Sequence, residues 1–194
     1  MTVENEKDVL RDKIVEVSYN LFKKKGYENV TVNEICDACG ITKPTFYSHI
    51  GSKDQLLAYF YTGLTSRLME ELLEQSTNDD YWQRIVLAFD SILSHSLEFG
   101  NDLYSQLFIA NLKNNIGTFE LQDSLTKVMV SLFEKAQKAG QIRNHSDPAD
   151  LYLACANMSF GYGIRWCLSK GSSDLLTDFH TALCVVCDVQ EEAK

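Results

Sequence analysis

The feature that most constrains this chain is the punctuation of its first 60 residues. Two Ser/Thr-x-x-Glu/Gln boxes, Thr31-Val-Asn-Glu34 and Ser52-Lys-Asp-Gln55, each predict a helix start. In such a box the first hydroxyl and the fourth side chain satisfy each other's orphan backbone N–H groups. Between the boxes, Gly40 predicts a stop and Thr42-Lys-Pro44 a further start, with proline in a first turn where its missing N–H costs nothing. Upstream, Leu10, Ile14, Val17 and Leu21 recur at i, i+4, i+7 and i+11. That stripe ends in Lys23-Lys-Lys-Gly26, cations over the carbonyl end and then a breaker. Val30 and Val32 would suit a strand, but no partner strand follows, and the helical reading is preferred.

The rest of the chain continues in the same way. Leu56, Phe60 and Leu64 share a face of the helix opened by Ser52, and further helices are predicted over Tyr81 to Glu98, Asp102 to Leu112, Phe119 to Ala139, Pro148 to Leu168 and Asp174 to Glu191. Breaks fall at Thr77-Asn-Asp-Asp80, Gly100-Asn, Asn114 to Gly117, Gly140 to Asp147 and Gly171-Ser-Ser. The fold class is all-α with about nine helices: an N-terminal three-helix helix-turn-helix domain over residues 1–52 and a larger helical domain over 53–194. With only 2 Pro and 10 Gly in 194 residues, a loop-rich or disordered chain is excluded. The longest uninterrupted apolar runs, Ala182 to Cys187 among them, are six residues, far short of a membrane span, so no membrane partner is expected. The opening MTVENEKDVLRD is no secretory leader, and six Cys behind it suit reduced thiols in a cytoplasm.

The third helix carries the chemistry. Phe46 and Ile50 are i and i+4, so they share the buried face. Ser48 then points away from the core with Pro44 and Thr45 beside it, Tyr47 and His49 at the edges, and Lys43 at the N-terminal end. Hydroxyl, phenol and imidazole groups bond phosphate oxygens and base edges, whereas a carboxylate is repelled by the nucleic-acid backbone. From Thr42 through Lys53 there is no Asp or Glu. The net charge of −9 at first disfavours a nucleic-acid partner, but residues 1–60 hold eight Lys+Arg against nine Asp+Glu, so the surplus of acid lies in the remainder.

The run Ile35-Cys-Asp-Ala-Cys-Gly-Ile-Thr-Lys-Pro-Thr-Phe-Tyr-Ser-His-Ile50, followed by Gly-Ser-Lys-Asp-Gln-Leu-Leu57, resembles the N-terminal signature of the TetR (tetracycline-repressor) family of bacterial regulators. The resemblance covers Ile14 to Tyr61; Cys36, Cys39 and Ile50 depart from its usual residues. It implies a homodimer that binds double-stranded DNA at a palindromic operator and is released by a small-molecule effector, most simply as a repressor. Carried over by position, Lys43, Pro44 and Thr45 approach base edges. Tyr47, His49 and Thr31 contact phosphate or sugar, and Lys53 clamps a phosphate at a helix N-terminus. Thr42 and Ser48 complete the expected DNA-binding set.

The same resemblance makes the larger domain a ligand-binding and dimerisation domain. Aromatic residues Trp82, Phe89, Phe99, Tyr104, Phe108, Phe133 and Trp166 are candidates for its pocket, and Phe160, Tyr162, Leu175, Leu176, Phe179, Leu183 and Val186 for the dimer interface. The acidity of this part favours a neutral or cationic effector. A rival reading is a metal- or thiol-responsive regulator using His180, Cys184 and Cys187, which fall on one helix face. Cys36 and Cys39 read instead as inert core thiols. A more distant rival is a helical ligand carrier or thiol enzyme with a vestigial helix-turn-helix. No nucleophile elbow, phosphate loop or His-Glu metalloprotease motif appears, so neither an enzyme nor a bound metal or cofactor is expected.

Overall fold

The computed structural model describes residues 3–61, 79–119 and 123–189, and every regular element among them is a helix. In chain order these are α1 (Val3–Lys25), α2 (Val32–Cys39), α3 (Lys43–Ile50), α4 over residues 53–61, α5 (Tyr81–Asn114), α6 (Asp123–Lys138), α7 (Pro148–Leu168) and α8 (Leu175–Cys187). Gly100 sits inside α5 at φ 76° and ψ 165°, so α5 is two helical segments meeting at the predicted break. Counted that way, the described residues hold nine helical segments. Leu64, the start of the break at Thr77, and Glu191 lie outside the described residues.

The chain divides into two compact units, Met1–Gly63 with Asp102–Phe119, and Leu64–Asn101 with Glu120–Lys194. The core of the first is built on Ile14, Phe22, Val30, Ile35, Phe46, Ile50 and Leu56, all buried. Each such side chain contributes about 1.5–3 kcal/mol relative to exposure. On α1 the buried line is Ile14, Ser18 and Phe22, one position round from the expected stripe; Leu10, Val17 and Leu21 flank it half-buried. A serine fits there because its Oγ donates to the Ile14 carbonyl at 2.6 Å and needs no other partner. Phe119, which the periodicity assigns to a helix start, instead follows the Gly117 turn and stacks on Phe108 at 4.8 Å between ring centres.

In the second unit α7 packs against both α6 and α8. Phe133, Phe179, Ile85, Leu93, Ile142, Cys155 and Cys187 are buried there. The last helix is shorter than the expected Asp174 to Glu191. Asp174 caps its start by accepting from the Thr177 N–H at 3.2 Å, and Asp188 ends it by turning to φ 51°. No helix among the described residues is long and apolar enough to cross a membrane.

Candidate nucleic-acid interface

The second helix is set by a reciprocal cap. Thr31 Oγ1 accepts the Glu34 N–H at 3.2 Å, and Glu34 Oε2 accepts the Thr31 N–H at 2.9 Å. The other Glu34 oxygen takes Lys25 Nζ at 2.7 Å, tying the end of α1 to the start of α2. The bond from Lys25, aided by those from Thr31, draws the Glu34 carboxyl down to about 2. At the far end of α2, Gly40 adopts φ 69°, which lets the Ile41 N–H reach back to the Cys36 carbonyl at 3.0 Å. Lys13 Nζ donates to the Cys39 carbonyl at 3.1 Å and fixes α1 against that end.

Helix α3 hangs on two anchors, Phe46 and Ile50, 0% and 3% exposed. Thr42 caps it, its Oγ1 accepting the Thr45 N–H at 3.4 Å. On the opposite face Lys43, Pro44 and Ser48 are exposed, Thr45 and His49 are half-buried, and Tyr47 is 50% exposed with its ring edge-on to Phe46. Ser48 Oγ donates to the Thr45 carbonyl at 2.9 Å, and His49 Nδ1 lies 2.8 Å from the same oxygen. A carbonyl only accepts, so Nδ1 carries the hydrogen and Nε2 is the nitrogen His49 turns to other partners. The structure thus brings Thr42, Lys43, Pro44, Thr45, Tyr47, Ser48 and His49 onto one short helix and its cap. Thr31 stands at the start of α2, exposed, with its hydroxyl also donating to Glu34 at 3.1 Å.

Lys53 is placed differently from the others. Its Nζ donates to the Tyr27 carbonyl at 2.6 Å and lies 4.1 Å from the centre of the Tyr27 ring and 5.7 Å from that of Phe22. Burial pushes its ammonium below the usual lysine range. Tyr27 is the node of this region. Its hydroxyl donates to Asp54, its N–H donates to Asp102 Oδ2 at 2.8 Å, and burial drives its phenol upward. Lys53 is therefore a strut between α4 and the α1–α2 turn. Tyr27, Asp54 and Asp102 were missed from the sequence because no local spacing pairs residue 27 with residue 102.

Cys36 and Cys39 are buried in the first unit, and burial raises both thiols. Of the aromatic candidates, Tyr104 and Phe108 belong to the first unit, with ring centres 4.9 Å apart. Trp82, Phe89, Phe99, Phe133 and Trp166 belong to the second. There Phe89 packs on Phe179 at 5.2 Å and Phe133 on Tyr152 at 6.1 Å. Among the interface candidates Leu175, Phe179 and Leu183 are buried within the chain itself, while Phe160, Tyr162, Leu176 and Val186 are half-buried. Small Gly161 was legible as a point of close helix approach, but the rest of the outward face of α7 was missed. There Leu153, Asn157, Gly161, Ile164 and Leu168 form an exposed stripe at i, i+4, i+8, i+11 and i+15. That spacing was visible, but α7 is apolar on several sides and does not announce which side is covered by its own chain.

Comparison with known proteins matches this geometry. Residues 14–60 fit the family described as bacterial regulatory proteins, tetR family. The HTH-type transcriptional regulator YerO of Bacillus subtilis is 38% identical over 67 residues, 33% of this chain and 23% of its own length. The HTH-type regulator YdgC of the same organism is 26% identical over 71% of this chain and 70% of its own. The chain thus matches less than a quarter of YerO's length. In fold, the crystal structure of Thermus thermophilus FadR, a TetR-family transcriptional repressor in complex with lauroyl-CoA, superposes with a TM-score of 0.73 at 20% identity. It covers 94% of this chain and 97% of that one. Residues 14–60 therefore match the tetR family of bacterial regulatory proteins, within a chain that carries the all-helical fold of solved TetR-family regulators.

Proposed function

We propose that this chain is a ligand-responsive, sequence-specific transcriptional regulator, a homodimer that represses by occupying a palindromic operator until a small-molecule effector releases it. The observation that carries the reading is the outer face of α3. Two buried anchors fix it, Thr42 caps it, and it offers hydroxyl, phenol, imidazole and ammonium groups with no carboxylate from Thr42 through Lys53. An eight-residue helix so presented suits a major groove, with Lys43, Pro44, Thr45 and Ser48 toward base edges and Tyr47, His49 and Thr31 toward the backbone. Lys53 adds its charge from the start of α4. DNA binding is assigned to residues 1–52, and effector binding and dimerisation to 53–194. Within the latter, the segment from Asp102 to Phe119 is built onto the DNA-binding unit.

For the dimer, the exposed stripe on α7 supports the reading, with Leu168 80% exposed and Val185 on α8 75% exposed. Gly161 in that stripe permits close helix approach, and exposed Leu153, Ile164 and Leu168 are better covered by a second copy than by water. Leu175, Phe179 and Leu183 then hold α8 from behind, while Phe160, Tyr162, Leu176 and Val186 flank the contact. The effector is a small neutral or cationic molecule, since the acidic surplus lies outside residues 1–60. Within the second unit the pocket candidates are Trp82, Phe89, Phe99, Phe133 and Trp166. Moving the operator from mostly bound to mostly free requires about 5.5 kcal/mol of differential affinity between two conformers. The protein acts in the cytoplasm and catalyses no reaction.

Selection of bound duplexes from a random pool tests this directly. The expected product is an inverted repeat with half-site centres about 34 Å, or a multiple of that, apart. A pool that stays unenriched over successive rounds contradicts the reading.

A further inference from the structure

A second cluster, in the other unit and unused by DNA binding, gathers on one edge of α8. Cys184, part-exposed, has its Sγ 4.0 Å from His180 Nε2 one helical turn earlier. Asp90 on α5 is half-buried near His180, and burial, opposed by His180, holds its carboxyl above the usual range. Behind Cys184 lies Cys187, wholly buried and hydrogen-bonded to Cys155 of α7. That bond, with burial, pushes the Cys187 thiol upward, and Cys184 lies close enough to add to the effect. Cys184 is thus the part-exposed sulfur with an imidazole beside it, and Cys187 the sheltered sulfur next to it. The sequence pairs Cys184 with Cys187 but gives no sign of Cys155 or Asp90. Among the described residues no group of three or more His, Cys, Asp or Glu side chains is arranged to hold a metal ion.

We infer that Cys184 is a site of oxidation by hydroperoxides, with Cys187 as the thiol that resolves it. His180 accepts the Cys184 proton while the sulfur attacks one peroxide oxygen. The O–O bond breaks, the departing hydroxide, or alkoxide from an organic hydroperoxide, takes the proton back from His180 and leaves as water or alcohol, and Cys184 becomes a sulfenic acid. The Cys187 sulfur then attacks the Cys184 sulfur. The S–O bond breaks, the hydroxide leaves as water with the Cys187 proton, and a Cys184–Cys187 disulfide forms. In balance, two thiols and one hydroperoxide give one disulfide, one water and the reduced form of the peroxide, which is water for hydrogen peroxide.

The place suits the step, because Cys187 is the last residue of α8 and the terminal turn deforms at least cost. It also has a reach. Asp188 and Val189 donate to carbonyls of that turn, and Asn144 donates its N–H to the Cys187 carbonyl at 3.2 Å and its Nδ2 hydrogen to the Val186 carbonyl at 2.7 Å. A cross-link in the turn therefore acts on the contact between the end of α8 and the loop after α6.

The test needs no DNA. The reduced full chain is treated with limiting hydrogen peroxide, alkylated, digested with trypsin and weighed. Cys184 and Cys187 share the peptide Gly171–Lys194, while Cys155 and Cys167 fall on two others, so the cross-links are distinguishable. The expected result is an internal disulfide in Gly171–Lys194 ahead of any oxidation at Cys167, which is also part-exposed. Cys187→Ser should leave a Cys184 sulfenic acid that dimedone captures, and His180→Asn or His180→Gln should slow the step at least about tenfold. Equal oxidation of Cys167 and Cys184, a Cys155–Cys187 cross-link in its place, or an unchanged rate in both His180 variants overturns the inference.

Discussion

At the scale of single residues, the interface separates side chains that face outward from side chains already committed. Lys43 is exposed at the start of α3, whereas Lys53 is held by the Tyr27 carbonyl and two rings. Lys43→Ala should lower the slope of log K against log salt by about 1 per subunit, read by fluorescence anisotropy over a salt series. Tyr47→Ala removes a phenol that points away from the core and should weaken binding about tenfold on every duplex alike, because a phosphate contact carries no sequence information. Glu34 offers a pH test. Its folded carboxyl sits at about 2 against an ordinary 4.5, so its contribution to stability is present above pH 4.5 and is lost as pH falls through about 2. The stability gap between wild type and Glu34→Gln, followed by urea unfolding, should therefore close across that window and not above it.

At the scale of elements, legibility followed the range of the interactions. The Thr31–Glu34 capping box, the Ser52 cap, the αL stop at Gly40 and the break at Gly100 depend on residues a few positions apart, and all could be read directly. A Gly40→Ala chain would meet no neighbour within 4 Å of its new Cβ, so its cost is the left-handed backbone alone, about 1 kcal/mol by denaturation. What could not be read was set by distant partners. Ser18 and Phe22 take the core line of α1 because α2, α3 and α4 decide which side is covered. The Tyr27 node is the sharper case, joining the α1–α2 turn to α4 and to the second segment of α5 through Asp54 and Asp102. Asp102→Ala leaves the Tyr27 N–H without its acceptor and should cost about 1–3 kcal/mol, while Asp102→Asn, which keeps an oxygen there, should cost less.

At the scale of the whole molecule, the charge and the apolar surface each divide. Net charge misleads when taken over 194 residues, because the surplus of acid lies outside residues 1–60 and none falls from Thr42 through Lys53. The apolar residues of α7 and α8 divide between a face turned to their own core and a face turned outward, and composition alone cannot say which is which. Phe179 and Leu183 serve the first, Leu168 and Val185 the second. Leu168→Glu with Val185→Glu should convert the dimer to a helical monomer in analytical ultracentrifugation and abolish binding to a two-half-site duplex, whereas the same changes to a buried pair would unfold the chain. The central claim is that the outer face of α3 reads bases. Its most direct test is to repeat the duplex selection with Thr45→Ala and Ser48→Ala variants. The account predicts an inverted repeat with unchanged half-site spacing and altered base preference within each half-site; identical base preference would show that another surface reads the DNA.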